Sequence, residues 1–319
     1  MKIFITTLIL IFILTACGGA EIPSVESTST SLPTSIPTIV IPTQTTEATV
    51  PAVTATMVPI EQPANERISP LSGMPQVYIP AGSFRMGGMD ARSGPDEVPA
   101  HEVTLDAFWI DQLEVTNAMY LACLQSGPCS PPQDLKSSRR TDYFMNPEFK
   151  DYPVVYVTWG QAKAYCEWQG GRLPTEAEWE RAARGDDWRT FPWGEDKADG
   201  LRANFAMIVG DTSRVGTYPL GASPFGVLDM AGNVAEWTND YYSAVYYPSQ
   251  TDFLNPPGPE SSISLRRVVR GGSLGDAEIN IRVPKRSAVL ASNLNVVPGS
   301  NAYLGDFSPR IGFRCVMDE

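Results

Sequence analysis

Hydrophobic and polar positions divide the 319 residues into three regimes. Ile3 to Leu14 form an almost unbroken apolar run behind Lys2, too short to span a bilayer by itself. Residues 21–70 contain no Phe, Tyr or Trp. From about Leu71 the pattern turns globular. Val77-Tyr78-Ile79-Pro80 and Gly82-Ser83-Phe84-Arg85-Met86-Gly87 read as a strand, a turn and a second strand, since Phe84 and Met86 alternate with polar Ser83 and Arg85 as in a half-buried strand. Val103 with Leu105, then Phe108 with Ile110, predict further strands. Thr158-Trp159-Gly160-Gln161 has capping-box spacing and opens a helix to Trp168. Thr175-Glu176-Ala177-Glu178, directly after Pro174, opens another that ends near Arg184-Gly185. On it Trp179, Ala182 and Ala183 share one face, while Glu176, Glu180 and Arg184 are i, i+4 neighbours. A third helix is expected from Thr116 to Leu124, and no long helix after Gly185. Few helices, short strands and many Gly/Pro loops imply an irregular α+β domain.

Composition changes the picture at the front of the chain. Leu14-Thr15-Ala16-Cys17 ends the apolar run in small residues before a cysteine, the pattern of a bacterial lipobox, where the cysteine becomes the new N-terminus and carries lipid. Residues 1–16 are therefore expected to be a signal peptide, and Cys17 a lipid anchor to the cell membrane. Residues 21–70 hold eight prolines and sixteen Ser or Thr, too little apolar surface to offset the entropy of ordering. The stretch 17–70 is expected to be a disordered tether of order 100 Å, at roughly 3 Å per residue. Residues 71–319 hold all seven tryptophans, with no internal repeat and no second linker, and are expected to form one domain. The formal net charge of −12 argues against nucleic acid or anionic lipid as the main partner. The expected location is extracytoplasmic, anchored in a bacterial cell envelope.

Of the five cysteines, Cys17 belongs to the anchor, leaving Cys123, Cys129, Cys166 and Cys315. An even number in an oxidising compartment suggests two disulfides. Four cysteines allow three pairings; the short loop around Gly127-Pro128 favours Cys123–Cys129, which leaves Cys166 with Cys315.

Several blocks together are more specific. Val77 to Gly87, Phe108-Trp109-Ile110-Asp111 leading into Glu114-Val115-Thr116-Asn117, Gly171 to Glu180, Phe191-Pro192-Trp193-Gly194, Gly226 through Asp229 to Thr238, Arg270-Gly271-Gly272-Ser273 and Gly312-Phe313-Arg314-Cys315 follow one another in order. In these blocks the chain resembles the formylglycine-generating enzymes (sulfatase-modifying factors) and their bacterial relatives, across essentially all of residues 75–317. The resemblance implies an irregular C-type-lectin-like fold with low regular secondary structure, stabilised by calcium, with a groove for an extended peptide. In the family's enzymes two cysteine thiolates hold copper(I), a soft ion matched to a soft ligand.

Matched without gaps, Asp276 and Ile281 occupy those two cysteine positions, and no cysteine lies between Cys166 and Cys315. Neither copper nor iron is expected: the single histidine, His101, excludes sites built on two histidines. His101, in a loop before a predicted strand, is read as structural. A Ser-His-Asp triad around it would lack a nucleophile-elbow sequence. Cys123 and Cys129 as copper ligands are disfavoured by their exported setting.

Calcium is the metal the resemblance supports. Asp229 and Glu236 would donate carboxylate oxygens, with Gly232 and Val234 adding carbonyls, a hard set suited to a hard cation. The alternative is that Glu236 caps backbone amides. A second site would begin at Asn204 with the Phe205 carbonyl. Trp179, Trp193 and Trp237 are expected as core or subdomain contacts, and Arg270, Arg282, Arg286 and Arg314 are expected to pin loops through carbonyls and carboxylates. The leading function is a non-catalytic module binding an extended peptide, a protein or a glycan. The alternative is a sulfatase-modifying or other protein-modifying oxidase working through a different site, and a third is a structural envelope component.

Overall fold

The computed structural model describes residues 65–291 and 306–319. The signal peptide, Cys17 and most of the tether lie outside the described residues. The elements are β1 (Glu66–Ile68), β2 (Pro75–Ile79), β3 (Gly82–Met86), β4 (His101–Leu105), β5 (Phe108–Asp111), α1 (Asn117–Ser126), α2 (Trp159–Trp168) and α3 (Glu176–Arg184). After them come β6 (Ala235–Tyr241), α4 (Tyr246–Ser249), β7 (Arg266–Arg270), β8 (Ser287–Leu290), β9 (Ile311–Gly312) and β10 (Val316–Asp318). Among the described residues three small sheets carry the fold, in the orders β1-β2-β5-β10, β3-β4 and β8-β7-β6-β9. All pairs are antiparallel except β6 with β9.

Strand β1 lies in the stretch assigned from sequence to the tether, and Arg67 pairs with Gln76 of β2. The folded part therefore starts ahead of Leu71. At the other end, β10 places Val316 against Ile110 of β5. The Cys166–Cys315 disulfide fastens the same region to α2, and Cys123–Cys129 closes the turn after α1.

The helices begin where their caps require. Thr158 and Gln161 form a reciprocal capping box on α2, as Thr175 and Glu178 do on α3. The Thr116 hydroxyl accepts the Met119 N–H at the start of α1, and Gly127 ends that helix in the left-handed region.

Strands β2 and β3 flank a tight corner, yet they join different sheets rather than forming a hairpin. Arg181 of α3 accounts for this, because its guanidinium donates to the carbonyls of Pro80 and Gly82 at 3.0 and 2.6 Å. Those carbonyls bind a side chain from another element, and β3 turns away to pair with β4.

Every residue of α3 is buried. Its apolar face packs Trp179, Ala182 and Ala183 into a core cluster with Val77, Phe84, Ile110 and Met230. Its charged face is buried too. Glu176 accepts from Arg270 at 2.9 Å and from Arg286 at 2.7 and 2.8 Å, while Glu180 accepts from Arg184 at 2.9 Å and Arg270 at 2.5 Å. Each charge is paired inside the protein, the condition under which buried ions are tolerated. A second cluster gathers Tyr120, Trp159, Tyr165, Trp237 and Phe313 around the Cys166–Cys315 bridge.

Candidate functional site

The segment after β7 is where the family resemblance puts the two copper cysteines. Ser273 donates both its N–H and its hydroxyl to one oxygen of Asp276, at 2.9 and 2.6 Å. The Asp276 N–H returns to the Ser273 carbonyl at 3.0 Å, and the carbonyls of Leu274 and Asp276 accept from Met207 and Ala206. Asp276 therefore closes a local turn. Ile281 is fully buried in a small cluster with Phe191, Ala203, Phe205 and Ala231. A depression of about 380 Å³ opens over Ala277, Glu278 and Ile279, walled by Phe191, Arg92 and Arg282. Arg282 is held by both oxygens of Glu97 and by the Ile279 carbonyl. All four cysteines of the domain are consumed in disulfides, so the domain offers copper no thiolate. The residues present do not fit that metal.

The loop from Asp229 to Glu236 is wound through left-handed backbone at Asp229, Gly232 and Asn233. At Gly232 only glycine fits, since a Cβ would stand 2.4 Å from the Asn204 carbonyl oxygen. Glu236 is gripped by Arg314, Nε to Oε2 and Nη2 to Oε1 at 2.7 Å each, and Oε2 also accepts from Trp179 Nε1 at 2.8 Å. Its partners are thus side chains, not the local amides considered as the alternative to metal. Glu114, which sequence reasoning named only inside a resemblance block, accepts from Val234 N–H at 3.1 Å and Asn233 Nδ2 at 2.6 Å.

Glu114 and Asp229 also feel the charge of the Arg314 guanidinium that Glu236 binds directly, so three buried carboxyls share one cation. Burial pushes the Asp229 carboxyl up to about 6, reinforced by the Glu236 charge and opposed by the Gly216 N–H and Arg314. Burial, then the charges of Asp229 and Glu236, hold Glu114 well above the usual carboxylate range. Among the described residues no three acidic, His or Cys side chains are placed to hold a metal by themselves, so a cation here would draw on backbone carbonyls as well. The donors are all oxygens, the type a hard cation takes. Asp229 uses one oxygen, for the Gly216 N–H at 2.6 Å, and Glu236 keeps one lone-pair position on Oε1. In the second set, Asn204 Oδ1 is buried with no hydrogen-bond partner among the described residues, whereas the Phe205 carbonyl already accepts from Ile208. The two sets adjoin, since Asn204 Nδ2 donates to Asn233 Oδ1 at 3.3 Å.

The remaining residues singled out from sequence have structural placements. His101 opens strand β4 rather than lying in a loop, and its ring packs edge-on to Tyr247 at 4.7 Å. Arg270 also donates to the Val283 carbonyl, and Arg286 to those of Asp96 and Ser243. Trp179 and Trp237 are fully buried, and Trp193 stacks on Phe191 at 4.9 Å. A second depression of about 710 Å³ lies between Tyr78, Phe108 and Arg172, where Arg172 binds both oxygens of Glu178 and one of Asp318 at 2.7 Å.

Residues 64–319 match the sulfatase-modifying factor enzyme 1-like domain. The formylglycine-generating enzyme of Thermomonospora curvata is 31% identical over 293 residues, covering 76% of this chain and 93% of that enzyme. The serine/threonine-protein kinase pkn1 of Chlamydia pneumoniae is 37% identical over 224 residues, covering 66% of this chain and 34% of the kinase, so the chain spans about a third of that relative. Among solved structures, PvdO from Pseudomonas aeruginosa superposes with a TM-score of 0.64 at 27% identity, covering 81% of this chain and 100% of PvdO. Treponema denticola variable protein 1 shares the fold, with a TM-score of 0.60 at 22% identity over 80% of this chain and 98% of its own.

Proposed function

This chain belongs to the sulfatase-modifying factor enzyme 1-like family, and from that premise we propose that its domain is a binding module that keeps the family scaffold without the cysteine-based oxidase chemistry. One observation carries the proposal. Asp276 is tied to Ser273 in a turn and Ile281 is sealed in the core, so this stretch presents a hard carboxylate oxygen and an aliphatic side chain where soft copper(I) needs thiolates. Function follows the site rather than the scaffold.

The module is tethered outside the cell membrane through a lipidated Cys17. The apolar run before that cysteine and the two disulfides of the domain both support an exported protein. Calcium at Asp229, Gly232, Val234 and Glu236, and in a second position at Asn204 and Phe205, would supply positive charge to a buried acidic cluster and hold the loop. The ligand is an extended peptide, a protein or a glycan.

A protein-modifying oxidase is the competing function, favoured by the identity that runs along 93% of the Thermomonospora curvata enzyme. Copper affinity separates the two. Incubated with Cu(I) and a competing Cu(I) chelator, the full chain should retain no metal, while an active family member retains it. Stoichiometric Cu(I) held by the full chain would overturn the non-catalytic proposal.

A further inference from the structure

We infer that the pocket between Arg139 and Arg310 binds the carboxylate of a uronic-acid-bearing saccharide. The inference deepens the binding-module proposal by naming a ligand class, and it rests on that proposal only for the purpose of the site. The chain carries a formal charge of −12, yet among the described residues the wall of this pocket of about 470 Å³ holds Lys136, Arg139, Arg140 and Arg310 and no acidic residue. Its volume lies in the range of small-ligand sites.

Two of the four cations are already committed. Lys136 pairs with Asp134 at 2.8 Å. Arg140 pairs with Asp211 at 3.4 Å and lies over the rings of Phe149 and Tyr152. Arg139 and Arg310 have no carboxylate partner among the described residues, although the backbone of each is fixed. The Arg139 N–H donates to Asp211 at 3.1 Å, and Arg310 donates to the Ser308 hydroxyl while its carbonyl accepts from Ala235. Their guanidinium groups rest on glycines, at Gly210 and Gly275. A Cβ on Gly275 would come within 2.2 Å of Arg310 Nη1.

A guanidinium fork without a carboxylate partner among the described residues is suited to bidentate binding of a carboxylate, and this pocket has two. The rest of the wall suits the body of a sugar. Ser138 and Thr141 are exposed hydroxyl residues, and Tyr156 beside them is half-buried. The acidic charge of the whole molecule works against dense polyanions such as nucleic acid, so spaced charges on a hydroxyl-rich chain are the better fit.

The test is calorimetric titration of the full chain, solubilised in detergent, with a tetrasaccharide of alternating glucuronate and N-acetylglucosamine. The uncharged N-acetylglucosamine tetramer serves as its counterpart. Binding should be confined to the charged sugar and weaken about tenfold in Arg139→Gln and in Arg310→Gln, the scale of one charge-assisted contact. Gly275→Ala should also weaken it, because the new methyl displaces the Arg310 guanidinium while leaving its charge. Melting curves of the variants should match the wild type. Absence of binding, equal binding by the variants, or tighter binding to tetraglutamate or phosphatidylglycerol vesicles overturns the inference. A chain that retains Cu(I) and still binds the charged sugar through these arginines would refute only the non-catalytic proposal.

Discussion

Arg314 and Glu236 face each other through two hydrogen bonds of 2.7 Å, with both side chains buried. The other donors of Arg314 reach the carbonyls of Asp111, Gln112 and Leu228. One guanidinium thus ties the C-terminal segment to β5 and to the acidic loop. It also leaves Glu114 and Asp229 without an equal share of positive charge.

That imbalance sets the calcium prediction. Asp229 is the informative position, because among the described residues its carboxylate accepts only the Gly216 N–H, whereas removing Glu236 would strand Arg314 and Trp179. Chelation should lower the melting temperature of the wild type and leave Asp229→Asn almost unchanged. Equal responses to chelation in the two proteins would contradict calcium at this loop.

The disulfides should differ in weight. Cys166 and Cys315 are 149 residues apart, and Cys123 and Cys129 are 6 apart. In the chain-entropy account the long loop contributes about 5 kcal/mol and the short one about 2 kcal/mol. Denaturant unfolding of the Cys166→Ala/Cys315→Ala pair should show the larger loss. A larger loss in Cys123→Ala/Cys129→Ala would contradict that ranking.

Asp111 gives a pH signature. Burial pushes its carboxyl from 3.8 up to about 6, against the pull of Gln76, Gln169, the Cys315 N–H and Arg314. With the folded value above the unfolded one, its contribution is fully present below pH 3.8 and is lost as pH rises through about 6. At about 1.4 kcal/mol per unit, the change is about 3 kcal/mol. Asp111→Asn should therefore be more damaging near pH 4 than near pH 7, by about that amount, in equilibrium unfolding. A penalty independent of pH would show that the Asp111 charge carries no such cost.

What was legible in the sequence was local. Thr158 with Gln161, and Thr175 with Glu178, announce helices because a cap is satisfied within one turn. The alternation at Phe84 and Met86 likewise announces β3. The rest depends on residues distant in the chain. Nothing around Pro80 and Gly82 reveals that Arg181 will hold their carbonyls and separate β2 from β3. Strand β1 is three residues long and becomes a strand through its pairing with β2. The same holds at the sites. Asp229 and Glu236 sit on one loop and could be read together, whereas Glu114 joins them only in the fold. Arg139 and Arg310 share a pocket that no spacing in the sequence indicates.

The central claim is that this scaffold performs no cysteine oxidation, because Asp276 and Ile281 stand where thiolates are required. It is tested most directly by incubating the full chain with copper, oxygen, a reductant and a cysteine-containing peptide of the sulfatase type, beside an active formylglycine-generating enzyme. The expected result is aldehyde in the control and none above the enzyme-free background with this chain. Aldehyde formed by this chain and abolished by boiling would contradict the account.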